Sequence, residues 1–222
     1  PAGLDFGRSV AVDTETLGLV PRRDKLCLVQ LSGGDGNAHL VQLDRSSYDA
    51  PNLKALMADG CYDADTQILG ERYQKNDTIS GPGWSSILTS VWADKHGVHD
   101  NSFQGKNYKE YPHIFARLKE ACPDARTLSI TTWLPIQLHI VSAADEALPF
   151  APVDNDYVPA DAKAGSAAVK FLTEQDPTFM FYYIGQVDET GHKFGFHPTV
   201  PEYMAAIHQA DVHVGEALAA LK

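Results

Sequence analysis

The chain has 222 residues, of which 44% are hydrophobic and 21% are charged, the proportions of a globular protein with a sizeable core. Its formal net charge of −11 argues against a strong, sequence-independent grip on nucleic acid, which requires clustered lysine and arginine. No apolar run is long enough to span a bilayer and no signal peptide opens the chain, so we expect no membrane partner and, by default, a cytoplasmic protein. The three cysteines lie far apart, which favours free thiols.

The first segment of the chain combines an acidic strand with a hairpin. The apolar run SVAVDTETLGL (9–19) predicts a strand on which Asp13 and Glu15 face the same side and can share a divalent ion. The next run, KLCLVQLSGGDGNAHLVQLD (25–44), predicts a β-hairpin. Residues 1–57 resemble the amino end of ribonuclease D-like 3′–5′ exonucleases of the DEDD group. That resemblance implies a nucleic acid substrate and metal at Asp13 and Glu15, although the later carboxylates of the group have no convincing equivalent.

A turn rich in glycine and proline precedes the next predicted helix, within TISGPGWSSILTSVWADKHGVHDN (78–101). Residues 81–83 break regular structure, and the run 84–92 is compatible with a helix. The hydroxyl of Ser80 or Thr78 then lies where a helix start offers unpaired N–H groups and the positive end of the helix dipole. Such a place suits a nucleophile that attacks a bound phosphate. The alternative is an N-cap serine with no role in catalysis.

The motif VDETGH (187–192) follows the apolar run TFMFYYIG, which predicts a buried strand. We expect Asp188 and His192 to lie in a loop at the carboxyl end of that strand, where open α/β sheets build their sites. A carboxylate and an imidazole four residues apart can share a zinc-like ion. The alternative is a pair of solvated loop residues.

Together these motifs resemble the alkaline phosphatase superfamily, specifically its nucleotide pyrophosphatase/phosphodiesterase-like branch, over about residues 52–222. The family shows a hydroxyl nucleophile followed by a proline-containing turn, which match Ser80 and Pro82. An I-L-T-G-like helix and the H-G-I/V motif follow, and they match residues 87–90 and 96–98. The D-N and D-x-x-G-H motifs match residues 100–101 and 188–192. The resemblance implies that Ser80 is the nucleophile and that Asn101 contacts a phosphate oxygen. It also implies that Asp188 and His192 bind one of two divalent metals, zinc first, with manganese or magnesium as alternatives.

The metal ligands that the resemblance implies are present only in part. The family begins with a strand that ends in a metal-binding aspartate and is followed by a P-N-L helix, a pattern that residues 38–56 share, with Asp44 at the strand end. Asp44 is therefore the first candidate for that metal ligand, and Asp13 is the second. The alternative is that Asp44 is a solvent-exposed residue with no metal. The family's later Asp-His pair and histidine ligand would follow Lys222, so we expect an incomplete two-metal site, with an inactive protein as an alternative.

The two resemblances meet at PNLKALMADG (51–60), which predicts an amphipathic helix. We therefore interpret the chain as composite, with a ribonuclease D-like segment at 1–57 and a phosphodiesterase-like body at 58–222 that can pack as one domain. Further helices are predicted at 111–121, at 164–174 and from 201 onward, a strand at 125–133, and a long loop or small cap at 134–161.

The order of the predicted elements indicates the fold class. Strands and helices alternate from residue 78 onward, which predicts an α/β fold with a mostly parallel sheet and helices on both faces. The resemblance implies an alkaline phosphatase-like but incomplete version of this fold, preceded by the amino-terminal strand and hairpin.

Three functions remain open from the sequence. The first is metal-dependent hydrolysis of a small phosphate ester or nucleotide with Ser80 as nucleophile. The second is a 3′–5′ exonuclease that uses Asp13 and Glu15. The third is a catalytically silent composite or designed fold, which predicts no metal-dependent stabilisation and no effect of substituting Ser80 or Asp13.

Overall fold

The computed structural model describes residues 11–16, 26–32, 39–42, 50–60 and 79–221. The strands in these ranges are β1 (Ala11–Thr16), β2 (Leu26–Ser32), β3 (His39–Gln42), β4 (Thr127–Thr131), β5 (Glu146–Pro149) and β6 (Phe179–Tyr183). The helices are α1 (Pro51–Asp59), α2 (Ser80–Thr89), α3 (Ala93–His96), α4 (Ile114–Ala121), α5 (Tyr157–Glu174), α6 (Gln186–Phe194) and α7 (Pro201–Ala220), with a short π-helix at Ile136–Ile140.

The first three strands form an antiparallel sheet in the order β1-β2-β3. Val12 of β1 lies opposite Leu31 of β2, and Val29 lies opposite Val41 of β3. The amino-terminal strand and the hairpin predicted from the sequence are therefore confirmed.

The other three strands form a parallel sheet in the order β5-β4-β6. Its central strand, β4, is buried along its whole length. α5 connects β5 to β6. Both strands run parallel to β4, and strands that run in the same direction need such a crossover connection. The predicted parallel sheet and a strand at TFMFYYIG are confirmed, but this strand is half-buried and not buried as predicted.

Helices cover both faces of the parallel sheet, which is visible in the alternation of side chains along β6. Phe179, Phe181 and Tyr183 pack against the hydrophobic cluster on the face of α2, α4 and the π-helix. Met180 and Tyr182 pack against the second cluster, which α5 and β4 form through Leu128, Ile130, Ala164 and Ala168. The prediction of helices on both faces is confirmed by these two clusters.

Two helices begin earlier than the sequence indicates, and each contains a proline at its third position. α2 begins at Ser80 and not at Trp84, so the Gly-Pro-Gly sequence lies inside its first turn. α5 begins at Tyr157, with Pro159 in the same place. The first N–H groups of a helix have no partner within the helix, so a proline there removes no hydrogen bond. The two prolines are therefore compatible with helix.

The segment 134–161 is more regular than the long loop or small cap that the sequence predicts. It contains the π-helix, β5 and the start of α5. The helix predicted at 111–121 begins at Ile114, while the carboxyl-terminal helix begins at Pro201 as predicted. In the described part of the chain, no helix combines the length and apolar character that crossing a membrane requires.

Candidate active site

The start of α2 brings Ser80 and Asn101 together. Ser80 is the first residue of this helix, and the residue that occupies the N-cap position is Ile79. The backbone N–H of Gly81 donates to Oδ1 of Asn101 at 2.7 Å. A Cβ at Gly81 would lie 2.6 Å from the carbonyl oxygen of Asp100, so glycine permits this close approach. The alternative in which Ser80 caps the helix is wrong, because Ile79 holds that position.

A tight turn fixes the segment that carries Asn101. Both the N–H and the hydroxyl of Ser102 donate to Oδ1 of Asp100, at 2.8 Å and 2.5 Å. These hydrogen bonds hold the pKa of the Asp100 carboxyl below its usual value. The ring of Phe103, which is buried, stacks on the ring of His139 with a centroid separation of 4.5 Å. The exposed Asn101 side chain is thus presented by an ordered turn.

His96 is a buried structural residue beside this site. Its Nδ1 accepts from the N–H of Val98 at 3.1 Å, so the proton of the neutral ring lies on Nε2, which is 2.9 Å from the hydroxyl oxygen of Ser86. Burial, and secondarily the charge of His99, lower the pKa of His96 to about 4. The imidazole is therefore neutral at physiological pH and is committed to packing α2 and α3.

Asp188 and His192 lie on one face of α6, one turn apart, with Oδ1 and Nε2 3.6 Å from each other. The expectation that they lie in a loop is wrong: the sequence after β6 turns directly into a helix. Both side chains are more than half exposed. The edge of the Phe196 ring packs on the His192 ring, with centroids 5.1 Å apart, and Phe196 in turn contacts Tyr203 of α7. The imidazole is therefore oriented by aromatic contacts.

The donor set of this pair suits a divalent metal in part. A carboxylate oxygen and an imidazole nitrogen are both zinc ligands, and they already lie close together. In the ranges that the structure covers, no group of three or more His, Cys, Asp or Glu residues is placed to hold a metal ion. The pair thus offers two ligands of the three that a catalytic zinc usually receives from protein.

The end of β6, which precedes α6, contacts the first half of α2. The Trp84 ring lies on the same side of α2 as Ser80, one turn later, and packs edge-on against Tyr183, the last residue of β6, with centroids 4.9 Å apart. Burial raises the pKa of the Tyr183 phenol, and the charge of Asp188 raises it further. Asp188 therefore lies within electrostatic range of a side chain that α2 contacts directly.

The remaining candidate carboxylates belong to the amino-terminal part of the chain. Asp13 and Glu15 lie on β1 opposite Gln30 and Leu28 of β2. Their shared metal site stays a prediction. Asp44 lies outside the described residues.

One residue of the site was not identified from the sequence. Asp161 of α5 is fully buried, and its two carboxylate oxygens accept from the N–H groups of Gly185 at 3.0 Å and Gln186 at 2.8 Å. Burial raises the pKa of its carboxyl, against the effect of these hydrogen bonds. The sequence feature that could have indicated Asp161 is its place beside the small residues Ala164 and Ala168, which form a buried face of α5. The composition of 134–161 instead favoured an irregular segment, so Asp161 was not placed on a helix.

A protein-family model described as type I phosphodiesterase / nucleotide pyrophosphatase matches residues 35–222. The match begins inside the segment that resembles exonucleases, before the boundary drawn at residue 57. The matching model describes a phosphodiesterase family and not an exonuclease family, so the composite interpretation is unsupported. No curated protein sequence matches the chain significantly.

Among solved structures, the chain is similar to phosphonoacetate hydrolase from Sinorhizobium meliloti 1021 in complex with phosphonoacetate, with 17% identity and a TM-score of 0.44, and in complex with phosphonoformate, with 18% identity and a TM-score of 0.45. These matches cover 64% and 66% of this chain and 42% and 43% of the hydrolase. Murine ectonucleotide pyrophosphatase / phosphodiesterase 5 matches with 17% identity and a TM-score of 0.43, over 65% of this chain and 43% of its own. The chain thus spans less than half the length of these proteins.

Proposed function

Because the chain belongs to the type I phosphodiesterase / nucleotide pyrophosphatase family, we propose that it is a metal-dependent phosphoric ester hydrolase with Ser80 as its nucleophile. The substrate that this chemistry fits is a small phosphate ester or a nucleotide. The Ser80 oxygen attacks phosphorus and loses its proton, the bond from phosphorus to the leaving alcohol or phosphate breaks, and the leaving group takes up a proton. Water then attacks the phosphorus of the phosphoserine, regenerating the hydroxyl and releasing a phosphate monoester from a diester substrate or phosphate from a monoester substrate.

The observation that carries the proposal is the hydrogen bond between Gly81 and Asn101. Ser80 is the first residue of α2 and Asn101 binds the backbone of the next residue, which supports a shared role for the two. Since Oδ1 of Asn101 accepts from Gly81, the Nδ2 group is the part of this side chain that can donate to a phosphate oxygen. The positive end of α2 favours the same anion. Together they form a donor set for the charge that develops on the phosphoryl oxygens.

The ion assigned to this site is a divalent metal, with zinc as first choice and manganese or magnesium as alternatives. Members of the family typically depend on divalent metals. Asp188 and His192 would hold one such ion, and support for this assignment comes from the position of α6, which follows β6, whose last residue Tyr183 contacts Trp84 of α2. When bound, the ion supplies positive charge that favours an ionised hydroxyl and offsets charge on phosphate oxygens.

The test is hydrolysis of bis-p-nitrophenyl phosphate and p-nitrophenyl phosphate with added zinc or manganese, in the wild type and in Ser80→Ala. We expect metal-dependent turnover that falls by about 10³-fold or more in Ser80→Ala, because the attacking oxygen is gone. The matched control is Ser166→Ala, which removes an exposed helical hydroxyl of α5 that bonds only to its own helix. Ser166→Ala is expected to keep the wild-type rate.

Each other result has a defined meaning. Turnover that Ser80→Ala retains would contradict the assignment of the nucleophile. A folded protein with no turnover on either substrate would favour the catalytically silent alternative. Trimming of a 3′ end that Asp13→Ala abolishes and Ser80→Ala spares would replace the proposal with the exonuclease.

A further inference from the structure

α6 carries the proposed metal pair, yet little of the helix itself is buried. It has nine residues, and Gly191 is the one buried residue within it. Its N-cap position is occupied by Gly185, which has no side chain to accept from the first N–H groups. The placement of α6 therefore depends on contacts from neighbouring elements.

The missing cap comes from α5. The Asp161 carboxylate accepts from the N–H groups of Gly185 and Gln186, one with each oxygen. A carboxylate at the start of a helix satisfies unpaired donors and interacts favourably with the helix dipole. Because Asp161 is fully buried, water cannot readily replace either hydrogen bond.

Asp188 lies in the turn that this cap holds. It is the third residue of α6, whereas His192 lies one turn further on. A helix frays from its ends, so the first turn is lost first when its cap is removed. Asp188 and His192 remain side by side only while this first turn is helical, because their shared face depends on helical spacing.

We propose that Asp161 is the positioning residue of the metal pair, since it caps α6 and thereby keeps Asp188 one turn below His192. The inference rests on the proposed function, because it assigns Asp161 a part in binding the same ion. Asp161 itself does not contact the substrate or the metal. It acts through the backbone of residues 185 and 186.

The chain contains a matched control for this arrangement. Asp211 of α7 is also buried, and its oxygens accept from the N–H groups of Asn52 at 3.2 Å and Leu53 at 2.7 Å, at the start of α1. Both aspartates thus cap a neighbouring helix through two backbone donors. An Asp→Asn change at either position keeps the shape of the side chain but leaves only one oxygen to accept.

The first measurement is amide hydrogen exchange of the metal-free protein. Asp161→Asn is expected to raise exchange in peptides covering 185–194 about tenfold, while Asp211→Asn raises exchange over 51–59 and leaves 185–194 unchanged. Unchanged exchange at 185–194 in Asp161→Asn would overturn the inference. If Asp161→Asn does not fold, Asp161→Ser, which keeps one acceptor oxygen, replaces it.

The second measurement is zinc affinity, determined by competition with a coloured chelator. Asp161→Asn is expected to bind zinc about tenfold more weakly than the wild type, whereas Asp211→Asn binds it equally well although both variants lose stability. If zinc affinity falls equally in Asp161→Asn and Asp211→Asn, Asp161 has no specific effect on the metal pair, and the inference is overturned.

A third variant separates the inference from the proposed function. If Asp188→Ala loses zinc binding and Asp161→Asn does not, the inference fails and the metal assignment stands. If Asp188→Ala binds zinc as the wild type does, the metal assignment fails, and the positioning of that pair fails with it. Hydrogen exchange over 185–194 is measured on the zinc-free protein. It therefore shows whether Asp161 caps α6 even if the metal assignment fails.

Discussion

The buried histidine at the end of α3 shows how a single side chain couples the fold to pH. His96 is fully buried, and its neutral ring is satisfied by one acceptor and one donor contact. Its pKa falls from 6.5 to about 4 on folding because burial penalises the charged ring. Burial also lowers the pKa of His113, so this residue changes the stability of the fold with pH in the same direction as His96.

This pKa predicts a loss of stability in mild acid. Between pH 6.5 and about 4 the unfolded chain binds a proton that the folded imidazole does not, so the free energy of unfolding decreases as the pH falls through this range. Between pH 7 and pH 5 the contribution is about 2 kcal/mol. Urea unfolding at the two pH values should show a smaller loss in His96→Gln than in the wild type. Equal losses would contradict this assignment.

At the residue level, the sequence pointed to those candidate residues that belong to short motifs. Ser80 and Asn101 lie 21 positions apart, within one turn–helix–turn segment, and the structure joins them through Gly81. Asp161 could not be found in this way, because its partners at 185 and 186 are contributed by another element through backbone atoms. A pattern of side chains does not record which backbone N–H groups a carboxylate will meet.

Within helix α2, two glycines have opposite surroundings. A Cβ at Gly81 would meet the Asp100 carbonyl oxygen at 2.6 Å, whereas a Cβ at Gly83 meets nothing within 4 Å. Gly83→Ala is expected to raise the free energy of unfolding by about 0.5–1 kcal/mol, since glycine is unfavourable in a helix. Gly81→Ala is expected to lower it by about 1–3 kcal/mol, because backbone atoms must move.

The same pair of variants tests the arrangement of the site. Gly81→Ala displaces the turn that carries Asn101 and should therefore reduce hydrolysis of bis-p-nitrophenyl phosphate at saturating metal. Gly83→Ala should leave the rate unchanged. Chemical denaturation and the hydrolysis assay on both proteins check these outcomes, and a Gly81→Ala enzyme as active as Gly83→Ala would show that Asn101 does not need its present position.

Several of the described elements were predictable from the sequence, whereas α6, the regular elements within 134–161 and some boundaries were not. Alternating and continuous apolar runs predicted the hairpin and β6, and apolar spacing predicted α7. The start of α2 was missed because a Gly-Pro-Gly sequence normally ends regular structure. The helix at 186–194 was missed for a related reason: its stability depends on a cap from α5 and contacts with α7, neither of which is local.

For the molecule as a whole, the binding of a metal and the stability of the fold are linked. A ligand that binds the folded state alone stabilises it by about 2.7 kcal/mol at a hundredfold excess over its Kd. Zinc is therefore expected to raise the melting temperature by several degrees, and EDTA should reverse the change. The double variant Asp188→Ala with His192→Ala should show no such rise. A wild-type melting temperature that zinc leaves unchanged would favour the catalytically silent alternative.

The family match runs across the boundary predicted at residue 57. It extends from residue 35 to residue 222 and so includes β3 together with all of the described helices. The boundary predicted at residue 57 rested on two short motifs that belong to different resemblances. A hairpin of apolar strands is common to many folds, so it could not by itself indicate which family the segment belongs to.

The cap of α1 has a consequence for the order in which the protein forms during synthesis. The Leu53 N–H and its acceptor on Asp211 are 158 positions apart in the sequence. At about 5–20 residues per second, the ribosome needs roughly 8–30 s to add the residues between them. α1 therefore leaves the exit tunnel earlier than Asp211 by about this interval. Until α7 follows it, α1 has no cap from Asp211.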